Sequence, residues 1–429
     1  MAQVINVGML GCGIVGSAVA RTMEAHAADI ADRVGARLEI RKVAVRNLGK
    51  ERDVPLSPDV FTSDPTEVIS DPEVQILVEV MGGIEPARSL ILDAMRSGKH
   101  VVSANKELIG TLGRELFAEA EASKVDFFFE ASVAGGIPII RPLKESLAGE
   151  RVERVMGILN GTTNYILTRM SEEGMEFDQA LAEAERLGYS ELDPTADIEG
   201  FDPAAKLSIL ASIAFNARVV SGDVYREGIT HVSARDIAYA RTLGYAVKLL
   251  AIAETVDGEI ALRVHPAMIP ETHPLASVRE NLNAIFIEGN QVGELMFYGR
   301  GAGGPPTAIS VLGDIVGVAR HMVSGGRGVG PVYTQRAQIR PMDQTMSQYY
   351  ILLEVADRPG VLAQVAKAFS DHDVSIKSVW QEGFGDEASL VLVTHTALER
   401  NVQALLSALR TLDVVKEVAS SMRVQSAED

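Results

Sequence analysis

The sequence predicts an α/β protein in three parts: an N-terminal parallel-sheet domain, an α+β domain, and a small C-terminal module of order βαββαβ. Three observations support this prediction. Apolar runs that suit buried strands alternate with helical patterns over residues 1–138. Strands and long helices mix without that alternation over 139–315, and short strand and helix patterns return over 348–429. With 429 residues, 47% of them apolar, the chain can bury a core in each part.

The first domain opens with an apolar run over residues 3–10, followed by the segment GCGIVG and a helical pattern. A strand, a glycine turn and a helix in that order are typical of a Rossmann dinucleotide-binding domain. The glycines permit a tight turn and let a pyrophosphate approach the helix N-terminus, so we expect a dinucleotide cofactor. The candidate contacts are Gly11, Gly13, Ile14, Val15 and Gly16.

Two basic residues follow strands of this domain. Arg46 lies just after the second strand, where it would suit a 2′-phosphate and favour NADPH, although a solvated surface arginine explains it equally well. Lys106 follows the strand VVS, whose carboxyl end we expect to border the cofactor crevice. The further predicted strands of the sheet are 38–45, 76–80, 100–103 and 126–131.

The glycine-rich segment 299–308 breaks the pattern of the second domain, and the helix after it could return the chain to the first domain through 300–325. A Gly- and Pro-containing linker is predicted over 326–347. The second domain is predicted to contain strands 152–159, 246–254, 259–264 and 283–288, and helices 163–173, 177–188 and 203–216. The C-terminal module is predicted to contain strands 349–355, 374–381, 388–395 and 414–424, and helices 359–371 and 398–412.

Charge and cysteine content exclude several function classes. A formal net charge of -18 argues against nucleic acid or an anionic membrane as a partner and favours a small-molecule ligand. The single cysteine, Cys12, lies inside the glycine turn, so the chain offers no internal disulfide and no obvious thiol nucleophile. No run suits a membrane span or a cleavable signal, and we expect the cytoplasm as the compartment.

An unusual lysine stands in the segment EGFDPAAK, which leads into an apolar helix. Asp202 suits the N-cap of this helix and Pro203 its first position, so Lys206 should fall in the first turn. The positive end of the helix dipole disfavours an ammonium there. Either Asp202 simply pairs with Lys206, or the lysine has a chemical role. Five carboxylates over 189–202 could hold a substrate ammonium while the lysine faces a carbonyl.

Together these motifs resemble the homoserine dehydrogenase family, in its longer form with a C-terminal ACT domain. The resemblance implies reversible reduction of L-aspartate 4-semialdehyde to L-homoserine with NADPH or NADH, in the biosynthesis of threonine, methionine and isoleucine. It covers essentially the whole chain. The stretches that carry it are GCGIVG, VVSANKELIG, FFFEASVAGGIPII, ILNGTTNYIL, GYSELDPTADIEGFDPAAK and YGRGAGGPPTA.

The same resemblance implies roles for individual residues. Lys206 would give a proton to the aldehyde oxygen, Asp202 would orient it, and Lys106 would lie beside the nicotinamide and the reacting oxygen. In addition, the family pattern assigns the substrate's amino group to Glu191 and Asp197, lesser substrate contacts to Thr162 and Tyr189, and a cofactor contact to Gly303.

Two further sites come from the resemblance alone. A monovalent cation, usually sodium, would be held by Glu130 together with the carbonyls of Val133, Gly135 and Ile137. In the ACT domain, a helix N-terminus could receive the carboxylate of an amino acid, with threonine as the natural effector. A domain used only for assembly is the alternative, and the resemblance implies a homo-oligomer, either dimer or tetramer. The effector residues would be Asp357, Arg358, Pro359, Gly360 and Val361.

Three other functions compete with this interpretation. Aspartate semialdehyde dehydrogenase shares the substrate but needs a catalytic cysteine, and Cys12 is misplaced for that. A hydroxy-acid dehydrogenase would use a histidine, yet none of the eight histidines falls in the stretches named above. An amino-acid-sensing protein with an inactive dehydrogenase body is the third alternative.

Overall fold

The structure, a computed structural model, describes residues 3–190, 192–328, 335–383 and 388–425. The α/β fold class predicted from the sequence is confirmed. In these ranges, no helix is both long and apolar enough to cross a membrane. The helices are α1 Ile14–Ala25, α2 Ala27–Val34, α3 Pro65–Ser70, α4 Ala87–Arg96, α5 Lys106–Ala122, α6 Gly161–Glu173, α7 Phe177–Arg186, α8 Thr195–Ile198, α9 Phe201–Ala214, α10 Ala234–Thr242, α11 Gly304–Ser324, α12 Val361–Asp371 and α13 Glu399–Leu409. The strands are β1 Val4–Leu10, β2 Arg37–Ala44, β3 Phe61–Thr62, β4 Val74–Glu79, β5 His100–Ser103, β6 Phe127–Phe128, β7 Val152–Ile158, β8 Ala217–Arg218, β9 Tyr225–Arg226, β10 Tyr245–Val256, β11 Glu259–Pro270, β12 Leu282–Gly289, β13 Gly293–Arg300, β14 Gln335–Arg336, β15 Met346–Val355, β16 Ile376–Glu382, β17 Ala388–Thr394, β18 Ala397–Leu398 and β19 Val415–Val424.

The chain divides into two compact units, each built from several segments. The first unit contains the N-terminal sheet, the greater part of α9, and α11; the second contains α6, the β10–β11 pair and the C-terminal module. The segments of the first unit are Met1–Val155, Ala204–Val224 and Leu282–Ala337, and those of the second are Met156–Pro203, Tyr225–Asn281 and Gln338–Asp429.

The first unit is built on a six-stranded sheet of order β3-β2-β1-β4-β5-β6, in which all neighbours are parallel. This is the strand order of a dinucleotide-binding sheet, and the order reverses between β1 and β4, where such sheets bind their ligands. The return helix α11 packs on α1. Its residues Val311, Ile315 and Val318 join the buried core that contains Val7 and Met9 of β1. Burial on both faces explains the continuous apolar runs of the strands.

The last strand of this sheet is shorter than predicted. The expected strand over 126–131 is wrong beyond Phe128, because β6 has only two residues and a 3₁₀ turn follows at Glu130–Ser132. The carboxylate of Glu130 accepts hydrogen bonds from the backbone N–H groups of Ile139, Ile140 and Arg141. These contacts fold the chain back on itself instead of extending the strand.

Helix α9 begins at Phe201, so the predictions of Asp202 as its N-cap and of Pro203 as its first position are both wrong. Asp202 lies inside the first turn, and Lys206 falls in the second turn rather than the first. One turn of helix still separates the two residues, which places them on the same face. Each of them is 8% exposed.

The second unit contains two antiparallel arrangements that share one sheet. Strands β10 and β11 pair along their whole length. The C-terminal module has the order β16-β17-β15-β19, with antiparallel neighbours and a core that includes α12 and α13. Strand β19 also pairs in parallel with β11 at Ala267 and Met268, and the Gln425 N–H donates to the Met268 carbonyl at 2.8 Å. The module is therefore joined to the β10–β11 pair through backbone hydrogen bonds.

A buried arginine reinforces this junction. Arg423, on β19, is 3% exposed and forms ion pairs with Glu399 of the module at 2.7 Å and with Glu227 at 2.9 Å. Its guanidinium also lies over the rings of Tyr225 and Tyr349. Because a buried charge is costly unless it is paired, removing either carboxylate would destabilise the junction.

Candidate functional site

The three glycines of the first loop differ in what surrounds them. A Cβ at Gly16 would lie 2.5 Å from the Gly11 carbonyl oxygen, and one at Gly11 would lie 3.0 Å from the Val80 carbonyl oxygen. Gly11 also has a φ of 104°, which L side chains rarely adopt. A Cβ at Gly13, by contrast, would meet nothing within 4 Å. Gly11 and Gly16 therefore serve the turn and its packing, and Gly13 leaves room for a ligand.

A cleft of about 460 Å³ adjoins this loop and is lined by Gly11, Cys12 and Gly13 as well as by basic residues after β2. Arg46, Lys50 and Arg52 contribute three positive charges to its wall. Arg52 shapes that wall, because its guanidinium donates to the Lys50 carbonyl at 2.7 Å and lies over the Phe61 ring. Such a wall suits the phosphates of a dinucleotide.

The start of α11 lies against the same glycine loop. Gly303 is its N-cap residue, with a φ of 115°. A Cβ at Gly304 would lie 2.7 Å from Ile14 Cγ2 at the start of α1. Ile14 is 80% exposed although it is apolar. The structure thus brings Gly303 close to the loop formed by Gly11, Gly13, Ile14, Val15 and Gly16, as a shared cofactor site requires.

The two candidate lysines lie on helices that meet closely. Lys106 begins α5, where the side chain of Asn105 caps the helix by accepting from the Leu108 N–H. One turn later, a Cβ at Gly110 would lie 3.2 Å from Ser208 Oγ and 3.3 Å from the Ala205 carbonyl oxygen, both on α9. Lys206 lies between these two α9 residues in sequence. The glycine therefore lets the two lysine-bearing segments approach.

Asp197 and Asp202 form an acid cluster in the second unit. Their carboxylates are organised by Asn160, a residue that the sequence did not single out. Its Nδ2 donates to Asp197 Oδ1 at 2.6 Å and to Asp202 Oδ2 at 2.9 Å, and its Oδ1 caps α6 by accepting from the Thr163 N–H. The Thr162 hydroxyl lies 2.6 Å from the Tyr189 carbonyl oxygen and 3.1 Å from Asp197 Oδ2, so its single proton is shared between these two acceptors. The carboxylates of Asp197 and Asp202 are thus oriented by a single amide. The only local signal in the sequence is an Asn at a helix N-cap position.

The remaining substrate candidates are placed differently. Tyr189 is 41% exposed, its carbonyl accepts from the Thr162 hydroxyl at 2.6 Å, and its ring makes an edge contact with Tyr165. Its backbone is therefore the part that contacts the cluster. Glu191 lies outside the described residues.

A second residue that sequence reasoning missed, the buried acid Glu79, shapes the end of β4. Glu79 is fully buried, and its carboxylate accepts from Ser103 Oγ at 2.7 Å and from the N–H groups of Met81 and Gly82. These bonds fix the loop that leaves β4 beside the glycine turn. No local pattern predicts this role, since the side-chain partner, Ser103, comes from another strand.

The loop proposed for a cation has carbonyl oxygens rather than a carboxylate to offer. Because three N–H groups occupy the carboxylate of Glu130, a cation there would be held by the backbone carbonyls of Glu130, Val133, Gly135 and Ile137. Hard cations take oxygen ligands of this kind, so the residues fit. A Cβ at Gly135 would lie 2.5 Å from the Gly301 carbonyl oxygen, so the loop lies against the segment before Gly303. The described residues contain no cluster of three or more His, Cys, Asp or Glu side chains suited to a metal.

Helix α11 supports this loop from the other side. Asp314 accepts from the Glu130 N–H at 2.8 Å and from the Arg141 guanidinium at 2.9 Å, and the Ser310 hydroxyl donates to the Gly135 carbonyl at 2.6 Å. Burial, and then the negative charge of Glu130, raise the pKa of Asp314 to about 7. The same helix therefore contacts both the cation loop and the glycine loop.

The effector candidates form the exposed loop between β15 and α12. Gly360 is the N-cap of α12 and has a φ of 93°, a conformation that favours glycine. The other members are Asp357, Arg358 and Pro359, all exposed, and Val361, which is buried. A Cβ at Gly360 would meet nothing within 4 Å, so there is open space before the first turn of α12, as binding of an anionic group at this helix N-terminus requires.

Models of known families match most of the chain. The homoserine dehydrogenase model matches residues 138–316, and the NAD-binding domain model of homoserine dehydrogenase matches 11–130. A model of the ACT domain matches 349–414. The first two ranges contain every substrate and cofactor candidate named above, as well as Glu130, whereas the cation candidates Val133, Gly135 and Ile137 lie between them.

Individual relatives agree with these models. The chain is 46% identical to a homoserine dehydrogenase of Corynebacterium glutamicum over 98% of this chain and 96% of the relative. It is 48% identical to one of Mycobacterium tuberculosis over 98% of both chains. Among solved structures, a homoserine dehydrogenase from Thiobacillus denitrificans superposes with a TM-score of 0.91 at 40% identity, covering 99% of this chain and 100% of that one.

A hyperthermophilic archaeal homoserine dehydrogenase mutant in complex with NADPH matches a smaller share. It covers 74% of this chain and 98% of its own, with a TM-score of 0.63 and 30% identity. The glycine loop, the basic cleft and the acid cluster all fall within segments that the family models match. From this agreement over nearly its whole length, we conclude that the chain belongs to the homoserine dehydrogenase family of NAD(P)-dependent oxidoreductases.

Proposed function

We propose that the chain interconverts aspartate 4-semialdehyde and homoserine with Lys206 as the proton donor to the aldehyde oxygen. The observation that supports this most directly is the position of Lys206 on α9, one turn after Asp202 and equally buried. Asp202 is itself fixed by the amide of Asn160. A buried lysine one helical turn from a fixed carboxylate can present its ammonium to an oxygen on which negative charge develops.

The other residues bind and orient. Asp197, already oriented by Asn160 and Thr162, accepts from the substrate's ammonium, with Glu191 and Tyr189 as further contacts. Lys106, at the start of α5, stabilises charge beside the reacting oxygen. A bound nicotinamide supplies the hydride in the direction of reduction. The alternative of a sensing protein with an inactive dehydrogenase body is not favoured by the family matches.

We infer that NADPH is the preferred form of the cofactor. Three cations, Arg46, Lys50 and Arg52, line the cleft next to the glycine loop. A 2′-phosphate adds two negative charges to the ribose, which these residues could neutralise. The archaeal relative bound to NADPH is consistent with this preference.

Three further expectations concern regulation and assembly. Sodium binds at the carbonyls of Glu130, Val133, Gly135 and Ile137, and threonine binds at the loop before α12. The chain forms a homo-oligomer, either dimer or tetramer, through the edge strand β16, on which Trp380 is 44% exposed. The cytoplasm is the compartment that suits a biosynthetic enzyme with one cysteine.

The proton-donor assignment is tested with Lys206→Met and a matched control, Lys367→Met, at an exposed position of the C-terminal module. Oxidation of homoserine, followed as NADPH formation, should fall by about 10²–10⁴-fold in Lys206→Met and stay unchanged in the control. Fluorescence titration should give the same NADPH affinity for both. Turnover above a tenth of wild type in Lys206→Met would exclude it as the proton donor.

The effector assignment is tested by threonine titration of the wild type and of Asp357→Ala. Threonine should inhibit the wild type, and the substitution should weaken that inhibition about tenfold because it alters the loop before α12. Asp371→Ala, at the far end of the same helix, is the control. A wild-type enzyme indifferent to threonine would refute threonine sensing.

A further inference from the structure

A second cleft lies in the second unit, among residues with no role in the chemistry above. Its volume is about 520 Å³, within the size range of small-molecule sites. It is bounded by α6, the end of α10, the start of β10 and the segment after β11. The ionisable side chains that line it are Glu172, Arg241, Tyr245, Lys248, Glu271 and Arg279.

Lys248 is the buried member of this set. It is 5% exposed, and its Nζ donates to the Val278 carbonyl at 2.5 Å and to Asn164 Oδ1 at 3.2 Å. Both acceptors are uncharged. Among the described residues, no carboxylate lies within ion-pairing distance of Lys248. Burial, and then the positive charge of Arg279, lower the pKa of Lys248 to about 8, against the opposing effect of Glu172.

A buried lysine of the first unit, Lys99, has similar hydrogen bonds to those of Lys248 but a different charge environment. Lys99 is 4% exposed and donates to the carbonyls of Asp71 at 2.7 Å and Val74 at 2.8 Å, so its hydrogen bonding is similar. However, the negative charge of Asp71 partly offsets the effect of burial on the pKa of Lys99. For Lys248 the largest charge effect is repulsion by Arg279. A purely structural role, in which the ammonium bridges neighbouring carbonyl oxygens, therefore explains Lys99 better than it explains Lys248.

The other charged residues of the cleft do not supply a carboxylate partner for Lys248. Glu172 is paired with Arg279 at 3.2 Å, which leaves Arg241 and Lys248 against the single carboxylate of Glu271. The cleft is thus locally positive in a chain whose formal net charge is -18. A buried cation next to an open cavity is stabilised when an anion enters that cavity.

We propose that this cleft is a second small-molecule site, which binds a small organic anion through a carboxylate or phosphate group placed against Lys248, with Arg241 and Arg279 at its rim. Three hydroxyls, those of Thr168, Ser171 and Ser277, line the same space. Those of Thr168 and Ser277 donate to the carbonyls of Asn164 and Pro274, so that of Ser171 is the one that can donate to the ligand.

The bound anion would also contact the helix that carries the substrate cluster. Asn164, the partner of Lys248, lies on α6 two residues after Thr162, and its Nδ2 donates to the Glu280 carbonyl at 2.9 Å. Helix α6 in turn begins at its cap, Asn160, which holds Asp197 and Asp202. An anion bound to Lys248 would therefore be connected, through Asn164 and one turn of α6, to the cap residue that orients the two carboxylates.

Calorimetric titration of the full chain with malonate and, separately, with inorganic phosphate tests the proposal. The expected result is saturable binding of at least one probe at pH 7, with a dissociation constant between about 10 µM and 10 mM. Arg241→Gln, an exposed position that should not affect folding, is expected to weaken that binding about tenfold, and Lys248→Met is expected to abolish it. Lys99→Met is the matched control and should leave it unchanged.

The pattern of results separates the sources of the ligand. Binding of malonate alone identifies a carboxylate site, and binding of phosphate alone identifies a phosphate site. Because Lys248 loses its charge as the pH rises through about 8, the affinity should also fall above that pH. No saturable binding of either probe, or binding that Arg241→Gln and Lys248→Met both leave unchanged, would overturn the proposal.

Discussion

The glycine loop and the acid cluster differ in the part of the chain that shapes them, which is the backbone in the loop and the side chains in the cluster. The loop works through backbone: a Cβ at Gly16 would overlap the Gly11 carbonyl, while a Cβ at Gly13 would meet no protein atom. The cluster works through side chains, because the amide of Asn160 orients the carboxylates of Asp197 and Asp202. We therefore expect substitutions in the loop to act through steric overlap with the backbone or the ligand, and substitutions in the cluster to act through lost hydrogen bonds.

The largest effect should come from the loop itself. Gly16→Ala places a methyl group against a backbone carbonyl that cannot move aside. It should lower the free energy of unfolding by about 3 kcal/mol and should also weaken cofactor binding. Gly13→Ala should melt like the wild type but bind NADPH about 10–100-fold more weakly, because its methyl group occupies ligand space. Thermal unfolding and fluorescence titration measure the two quantities. Equal losses of stability in the two variants would contradict the comparison.

The next effect should come from the amide of the acid cluster. Asn160→Ala removes both hydrogen bonds to the carboxylates and should raise the KM for homoserine about 10–100-fold. Asn160→Ser is the matched variant, because serine can still cap α6 but lacks the two N–H donors. Steady-state kinetics should give similar KM values for the two variants, with higher thermal stability for serine. A normal KM in Asn160→Ser would assign the effect to the helix cap.

A smaller effect should distinguish the two cofactors. Arg46→Ala should raise the KM for NADP about tenfold and leave that for NAD nearly unchanged, because only NADP carries the 2′-phosphate. Arg37→Ala, at the opposite end of β2, serves as the control. Parallel assays with the two cofactors measure the ratio of their KM values. An equal rise in both KM values would contradict the assignment of Arg46 to the 2′-phosphate.

The smallest effect should come from the helix crossing that brings the two lysines near. Gly110→Ala adds a Cβ at 3.0 Å from Ser221 Oγ and 3.2 Å from Ser208 Oγ. Hydroxyls can rotate away, so the cost should be about 1 kcal/mol with a few-fold loss of kcat. Gly149→Ala, where a Cβ would meet nothing within 4 Å, should be neutral. A Gly110→Ala variant with wild-type turnover would show that the spacing of α5 and α9 is not critical.

The sequence predicts those parts of the molecule that depend on local pattern. The glycine loop, the strand before it and the helix of Lys206 all follow from periodicity and turn residues. Asn160, Glu79 and the fold-back at Glu130 do not, because each acts through hydrogen bonds to residues distant in the chain. The strand expected over 126–131 fails for that reason: nothing in the segment itself reveals that the Glu130 carboxylate will accept three N–H groups from 139–141.

The pairing of β19 with β11 has a consequence for how the chain is made. Ala267 bonds to a strand that contains Arg423, so the ribosome must add more than 150 residues before this end of β11 gains its partner. During that interval β11 exposes unpaired backbone groups at Ala267 and Met268, which other nascent chains could extend. The contact also has high sequence separation, so its formation should be slow compared with the β10–β11 hairpin. The C-terminal module is therefore the last part of the second unit to complete its folding.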